Sequence, residues 1–314
     1  MLITKQNWQK GTEPLVSICC ITYNHENYIR DAIEGSLIQD TTFPVEILIN
    51  DDASTDKTAE VIMQYEDKYP DIIFPIYQKE NQKSRGVRPN PTFNFPRASG
   101  KYIALCEGDD YWTDPYKLQK QVNFLEKTPE YSMCFHNAIV KYMNEKRPDK
   151  LFSNLDEREY KGEEILREWT IPTASVVFKK EHLDYKLQTN KNFIYGDIVL
   201  FLQMAEKGKI WCIDEVMSVY RIHNEGMIKK NRNSISNRLA FIKHHEEIKK
   251  NFNGKYIVVE KEILSRSYIG LSKLQLRRLR VQFVISIVKG FLQSPKLFLK
   301  NFFCIYLKIG CIKT

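Results

Sequence analysis

Three short apolar runs, each stopped by polar turn formers, limit the folds open to this chain more than any other feature. Leu15 to Thr22 (LVSICCIT), Val45 to Asn50 (VEILIN) and Lys101 to Cys106 (KYIALC) are strand-length, and the first two are rich in β-branched residues. That is the pattern of strands buried on both faces. Ile72 to Tyr77 supplies a further strand. Between the runs, apolar residues recur at helical spacing: Tyr28, Ile29, Ala32, Ile33 and Leu37, and later Leu118, Val122 and Leu125. Another helix is expected to run to about Tyr65. Asp114-Pro115 marks a helix start, an N-cap followed by proline, and the helix should end near Thr128-Pro129. Such alternation predicts an α/β fold, Rossmann-like, with a mostly parallel sheet and helices on both faces.

The rest of the chain is less regular. Gln78 to Pro96 reads as a long loop with one short helix. Thr173 to Phe178 reads as a strand, Gly196 to Lys207 as a helix, and Lys209 to Ile213 and Ser218 to His223 as two strands. After Gly226 the pattern turns helical and basic. From Gly226 to Thr314 there are 19 Lys and Arg against four Asp and Glu, leaving 28 against 35 for residues 1–225. An acidic body with a basic tail is not one uniform nucleic-acid-binding surface, so no nucleic-acid partner is expected. The seven cysteines include no C-x-x-C pair, which argues against a zinc or redox motif. Cys19, Cys20 and Cys106 lie in apolar runs as small hydrophobes, and an odd, buried set fits a reducing compartment. Met1 to Glu13 lacks the apolar core of a signal peptide.

Ligands of open parallel sheets bind at the carboxyl ends of strands. Both acidic clusters of this chain fall at such ends. In Glu107-Gly108-Asp109-Asp110, three carboxylates within four residues repel one another unless a cation intervenes, and hard oxygen ligands suit Mg²⁺ or Mn²⁺. The plainer alternative is a solvated turn capping the next helix. Asp51-Asp52 is open to the same alternative, although a carboxylate in that crevice can also accept from a base or a ribose. Neither G-x-G-x-x-G nor G-x-x-x-x-G-K-[ST] occurs, which speaks against dinucleotide and P-loop chemistry. Asp197, read from its position alone, is an N-cap of the helix that follows. His136, His182, His244 and His245 show no ligand spacing. Tyr111 and Trp112 would either pack under the sheet or stack on a ligand.

Taken as an ordered set, these motifs resemble the inverting family 2 glycosyltransferases of the GT-A fold, of the bacterial surface-polysaccharide type. The matching residues are Val16-Ser17-Ile18 through Thr22-Tyr23-Asn24, Asn50 through Asp56, and Gly100-Lys101-Tyr102-Ile103 leading into Glu107-Gly108-Asp109-Asp110. Gly196-Asp197 and Tyr220-Arg221-Ile222-His223 follow, so the likeness covers roughly residues 13–225. The resemblance implies a GT-A domain over 1–225, with a nucleotide-sugar half of about 13–112 and an acceptor half of about 113–225. A basic helical extension would occupy 226–314. It implies further that Thr22, Tyr23, Asp52 and Arg85 bind the nucleotide, and that Asp109, Asp110 and His223 hold Mn²⁺ or Mg²⁺. Arg221 would assist the diphosphate, and Asp197 would be the catalytic base. Two departures stand out: Glu107 where many relatives begin the metal motif with Asp, and the absence of an Ala-Arg-Asn pattern between Val87 and Arg97, which bears on Arg85 and Asn94.

The expected reaction moves a sugar from a nucleotide-sugar, a UDP-sugar by preference, to the hydroxyl of a glycan or lipid-linked acceptor, in cell-surface polysaccharide or lipopolysaccharide synthesis. Two rivals remain: a sugar nucleotidyltransferase, whose usual Gly-rich basic loop Thr22-Tyr23-Asn24-His25 does not match, and a non-catalytic nucleotide-sugar or nucleic-acid binding protein. In the tail the longest uncharged run, Val281 to Val288, is far short of the ~20 residues of a membrane span. Lys289, Lys296 and Lys300 recur at helix-compatible spacing opposite Phe298, Phe302 and Ile305. That suits a helix lying on an anionic membrane, and places the protein in the cytoplasm, peripheral on the inner face of the plasma membrane. A helical pair packed on the catalytic domain or on a dimer partner is the alternative.

Overall fold

The computed structural model describes residues 1–9, 11–223, 234–276 and 282–306. Its first half alternates as the apolar runs require: β1 (Val16–Thr22), α1 (Ile29–Leu37), β2 (Val45–Asp51), α2 (Thr58–Lys68), β3 (Ile73–Tyr77), β4 (Tyr102–Leu105), β5 (Tyr111–Trp112) and α3 (Lys117–Lys127). There follow β6 (Tyr131–Tyr142), β7 (Lys150–Leu151), β8 (Glu159–Tyr160), α4 (Gly162–Arg167), β9 (Val177–Lys179), α5 (Tyr185–Gln188), α6 (Gly196–Lys207) and β10 (Lys209–Ile222). Four helices close the described chain: α7 (Ile235–Asn251), α8 (Ile257–Leu276), α9 (Gln282–Gln293) and α10 (Pro295–Tyr306).

The strands form one sheet in the order β3-β2-β1-β4-β9-β6-β10-β5, with β7 on β6 and β8 on β10. β1, β2, β3 and β4 pair in parallel, as do β6 and β10. β9 joins the two parallel groups and is antiparallel to both β4 and β6. Alternation along β1 explains why helices cover both faces. Val16, Ile18 and Cys20 pack with residues of α1, α2 and α3, whereas Cys19 packs with Leu48, Ile103 and residues of α4 and α6. Burial pushes the thiols of Cys19, Cys20 and Cys106 up, as expected of inert core cysteines.

Three readings of the second half need correction. Thr173 to Phe178 is a short 3₁₀ turn (Thr173–Ser175) before β9, because the strand must reverse direction between β4 and β6. The two strands placed at Lys209 to Ile213 and Ser218 to His223 are one, β10, with register shifts around Val216. Polar Asp214 and Glu215 fall at that irregularity and mimic a break. β6, an interior strand between β9 and β10, is not anticipated, because His136 and Asn137 interrupt its apolar run. Inside the sheet His136 Nδ1 lies 2.7 Å from the carbonyl of Asn137, while its Nε2 has no partner among the described residues, and the Asn137 amide donates to the Ser153 carbonyl at 2.7 Å.

The chain forms two compact units, Met1–Lys191 with Leu200–His223, and Asn192–Val199 with Asn224–Thr314. In the second, Ile242, Leu264, Tyr268 and Leu271 make a small core between α7 and α8. His245 pairs with the buried Glu260 at 3.0 Å. Ser286 on α9 donates to Gln275 on α8 at 2.7 Å. Phe298, assigned above to an outward apolar face, is instead buried, because Gly290 leaves room for its ring. The outward apolar face consists of Val284, Ile285, Val288 and Leu292 on α9, with Leu299 on α10, and Lys289, Lys296 and Lys300 are exposed. No described helix is long and apolar enough to cross a membrane.

Candidate active site

The carboxyl ends of β1, β2 and β4 lie side by side, and their loops are tied together by hydrogen bonds. The Asp52 N–H donates to the Thr22 carbonyl at 2.9 Å, and the Gly108 N–H donates to the Ile21 carbonyl at 2.9 Å. Gly108 is required here: a Cβ would stand 2.6 Å from Thr22 Oγ1 and 2.7 Å from Thr22 Cβ. Glycine therefore presses the acidic loop against β1. Asn24 turns the chain at φ 55°, and its side-chain oxygen accepts from the Thr55 N–H at 2.8 Å.

Within the second acidic cluster the carboxylates divide their work. Asp51 accepts from the N–H and hydroxyl of Ser54, and Asp56 accepts from the N–H of Thr58 and of Glu26. These two are turn and cap residues. Asp52 is buried, and its two oxygens accept from the N–H groups of Gln82 (2.7 Å) and Lys83 (3.0 Å). It thus pins the loop that follows β3. Tyr23 is exposed beside Thr22. Arg85 sits on the pinned loop but is exposed and paired with Glu80. Asn94 donates to the Cys20 carbonyl at 3.0 Å and holds the loop before β4 against the sheet.

At the end of β4 the acidic loop meets the end of β10. The Asp110 carboxylate is buried; Oδ1 accepts from the Arg221 N–H at 2.8 Å, and Oδ2 has no partner among the described residues. Burial, together with the charges of Asp109 and Glu107, drives its pKa well above the carboxylate range. Asp109 behaves oppositely. Its burial raises the pKa, but the His223 hydrogen bond and the charges of His25 and His223 outweigh it and hold the carboxylate low. His223 Nε2 lies 3.1 Å from Asp109 Oδ2. Arg221 is buried, donates to the Asp109 carbonyl at 3.1 Å, pairs with Asp31, and lies 4.3 Å over the ring of Tyr111.

Thr22, Asp109, Asp110, Arg221 and His223 are brought together by β1, β4 and β10, and Glu107, Asp109 and Asp110 offer ligand oxygens within 4.8 Å of one another. Arg221 is already engaged by Asp31 and by the acidic loop that it clasps. Asp197 opens α6 in the second unit, where its Oδ1 accepts from the Ile198 N–H at 2.9 Å. Trp112 packs in the core, donating to the Ala174 carbonyl at 2.7 Å with the Lys117 ammonium 4.0 Å from its ring. Sequence reasoning passed over His25, Tyr28 and Asp31. Their signal was position: they follow β1 directly, at the edge where ligands bind.

Residues 17–202 match the model for "Glycosyl transferase family 2", and the chain belongs to that family. An uncharacterized protein of Mycobacterium tuberculosis is 41% identical over 213 residues, 68% of this chain and 60% of that protein. This chain therefore spans about three fifths of the mycobacterial relatives' length. The putative teichuronic acid biosynthesis glycosyltransferase TuaG of Bacillus subtilis is 28% identical over 225 residues, 70% of this chain and 82% of that protein. Among solved structures, S. aureus TarS 1–349 in complex with UDP-GlcNAc superposes with a TM-score of 0.57 at 16% identity, over 91% of this chain and 78% of that one. Mannosyltransferase PcManGT from Pyrobaculum calidifontis, in complex with GDP-Man and Mn²⁺, gives 0.55 at 14%, over 97% and 85%. The fold is GT-A with a helical C-terminal extension.

Proposed function

We propose that the protein transfers a sugar from a nucleoside-diphosphate donor, a UDP-sugar by preference, to an acceptor hydroxyl with inversion at the anomeric carbon. The observation that carries this reading is the gathering of Asp109, Asp110 and His223 at the carboxyl edge of β4, beside the loops laced together by Thr22 and Asp52. Residues 13–112 would bind the donor and 113–225 the acceptor, with 226–314 as the extension.

The residues present fit a divalent cation. Asp110 carries a buried carboxylate oxygen with no donor, and Asp109 is held ionised next to it. Mn²⁺ or Mg²⁺ bound there, by Asp109, Asp110 and His223, would supply positive charge against the departing diphosphate. The Thr22 backbone and the Tyr23 ring would hold the base. Asp52 and Arg85 would flank it, Asp52 partly by fixing the loop of Gln82 and Lys83. Arg221 contributes positive field at the diphosphate while it clasps the acidic loop. Asp197 would take the proton of the acceptor hydroxyl as its oxygen bonds to the anomeric carbon and the bond to the diphosphate breaks, a role worth ~10²–10⁴-fold. Attack on the face opposite the leaving group inverts the centre.

Likeness to TuaG, a putative teichuronic acid biosynthesis glycosyltransferase, supports a cell-surface polysaccharide setting, with a glycan or lipid-linked acceptor. The exposed apolar face of α9 beside exposed lysines supports a peripheral position on an anionic membrane, at the cytoplasmic side. A thermal-shift panel of UDP and GDP, each with and without Mn²⁺, tests the core of this reading. UDP with Mn²⁺ should stabilise by about 2.7 kcal/mol at a hundredfold excess over Kd. Equal shifts with and without metal would reject the metal site, and a shift by GDP alone would reject the base preference.

A further inference from the structure

We propose that His25 is a further metal ligand beside Asp109, Asp110 and His223, and that its imidazole together with that of His223 selects Mn²⁺-like ions over Mg²⁺. The inference rests on the metal reading above and deepens it, since the sequence alone left Mn²⁺ and Mg²⁺ equivalent and gave His25 no part.

The geometry comes from two chain ends that are far apart in sequence. Asn24 turns the chain out of β1, and the next residue is fixed at its backbone: the His25 N–H donates to Thr58 Oγ1 at 2.8 Å, and its carbonyl accepts from Tyr28 and Ile29 at 2.9 and 2.8 Å. His223 arrives from the end of β10. The ring of Tyr28 packs 4.7 Å from that of His223 and 6.3 Å from that of His25. Both imidazoles turn Nε2 to the same atom, Asp109 Oδ2, at 3.8 Å for His25 and 3.1 Å for His223. Their rings are edge-on at 86°, with centroids 5.8 Å apart, and one ligand atom from each of the three residues lies within 4.8 Å of the others.

Ligands about 2.1 Å from one ion stand about 3 Å apart at right angles, so the spacing of His223 and Asp109 is already that of neighbouring ligands. His25 closes the set by a side-chain adjustment of about 1 Å. The nitrogen content decides the ion. Mg²⁺ demands near-octahedral oxygen and is reluctant to lose water, whereas sites that include nitrogen bind the first-row ions with an affinity that rises from Mn²⁺ onward. The overlapping group of Glu107, Asp109 and Asp110 is all oxygen and would accept Mg²⁺ readily, but one Asp110 oxygen is occupied by the Arg221 N–H. Two ligand sets sharing Asp109 thus make opposite predictions about metal choice.

The test is a Mn²⁺ titration of the full-length, metal-stripped protein followed by electron paramagnetic resonance, with and without UDP. Nitrogen couplings from pulsed measurements count the bound imidazoles in the unaltered protein. Two coupled imidazoles are expected. His25→Asn and His25→Gln should each weaken Mn²⁺ binding about 10-fold or more, at least what loss of an outer partner costs, with unchanged circular dichroism. Mg²⁺ in about a hundredfold excess should fail to displace Mn²⁺ from the unaltered protein. A single coupled imidazole, unchanged affinity in a folded His25 variant, or ready displacement by Mg²⁺ would overturn the proposal. Asp109→Asn separates the two levels: loss there with retention in the His25 variants rejects the His25 ligand alone. Absence of any bound Mn²⁺ in the unaltered protein, with UDP present, rejects the metal reading itself.

Discussion

Replacing Gly108 with alanine probes the contact that holds the acidic loop at the end of β1. The added Cβ would stand 2.6 Å from Thr22 Oγ1, 2.7 Å from Thr22 Cβ and 3.1 Å from Ile29 Cδ1. Gly108 is not among the positive-φ residues, so the substitution meets atoms rather than backbone strain. One of the three obstacles, the Cβ of the buried Thr22, is fixed to the backbone of an interior strand and cannot swing aside. The loop must therefore retreat by roughly 1 Å, and overpacking of this kind costs about 1–3 kcal/mol. For a unit of this size that is about 2–12 °C in Tm, at about 2–4 °C per kcal/mol. The retreating loop carries Asp109 and Asp110 away from His223, so Mn²⁺ affinity should fall as well, by about tenfold for each 1.4 kcal/mol lost. Gly208→Ala is the control. Its Cβ would stand 2.8 Å from the Glu130 carbonyl oxygen, at the start of β10 and thus the far end of that strand from His223. Differential scanning calorimetry and a Mn²⁺ titration should show both variants destabilised and only Gly108→Ala weakened for metal. An unchanged Tm in Gly108→Ala, or equal loss of metal affinity in both, would refute the reasoning.

Asp52→Asn replaces one of two oxygens that accept from Gln82 and Lys83 with a donor, and should cost about 1.5–3 kcal/mol in chemical denaturation without ligand; an effect on UDP affinity alone would show that the loop does not depend on it. Asp110→Asn should stabilise the chelator-treated protein, because a carboxyl whose folded pKa is raised loses stability as pH rises. The gain should be absent at acid pH, open above the ordinary Asp range and level off past the raised value; a Tm difference independent of pH would contradict this. Asp197→Asn should retain UDP and Mn²⁺ binding while transfer falls by ~10²–10⁴-fold, whereas loss of folding would leave Asp197 as a first-turn residue of α6. Replacing Val284, Val288 and Leu292 with serine should lower co-sedimentation with anionic vesicles even at high salt, since interfacial burial is not screened; binding that survives unchanged would assign these residues elsewhere.

Much of the donor-side architecture was legible because its signals are local. A short apolar run bounded by turn formers reads as a strand whatever its neighbours are, and β1, β2, β3 and β4 are of this kind. The sequence placed Asp109, Asp110 and Asp52 at the carboxyl ends of strands, but the bonds by which Asp52 holds the loop of Gln82 and Lys83 are not written there. β6 was hidden by His136 and Asn137, two polar residues in its apolar run, and the Asn137 amide meets the carbonyl of Ser153 only in the folded chain. β10 was split by polar residues at an irregularity that exists only in relation to its neighbour β6.

The sequence by itself determined the alternation of elements, the edge of the sheet where both acidic clusters gather and the asymmetry of charge between body and tail. Tertiary structure alone decided which side chains share one carboxylate oxygen and which only hold a loop. His25 and His223, 198 positions apart, become neighbours because parallel strands bring their carboxyl ends to one edge, a pairing that no local pattern encodes. The same holds for Phe298, buried rather than outward because Gly290 on the preceding helix leaves a gap of its shape. Spacing within one element is written in the chain, whereas distance between elements is set by how their faces pack.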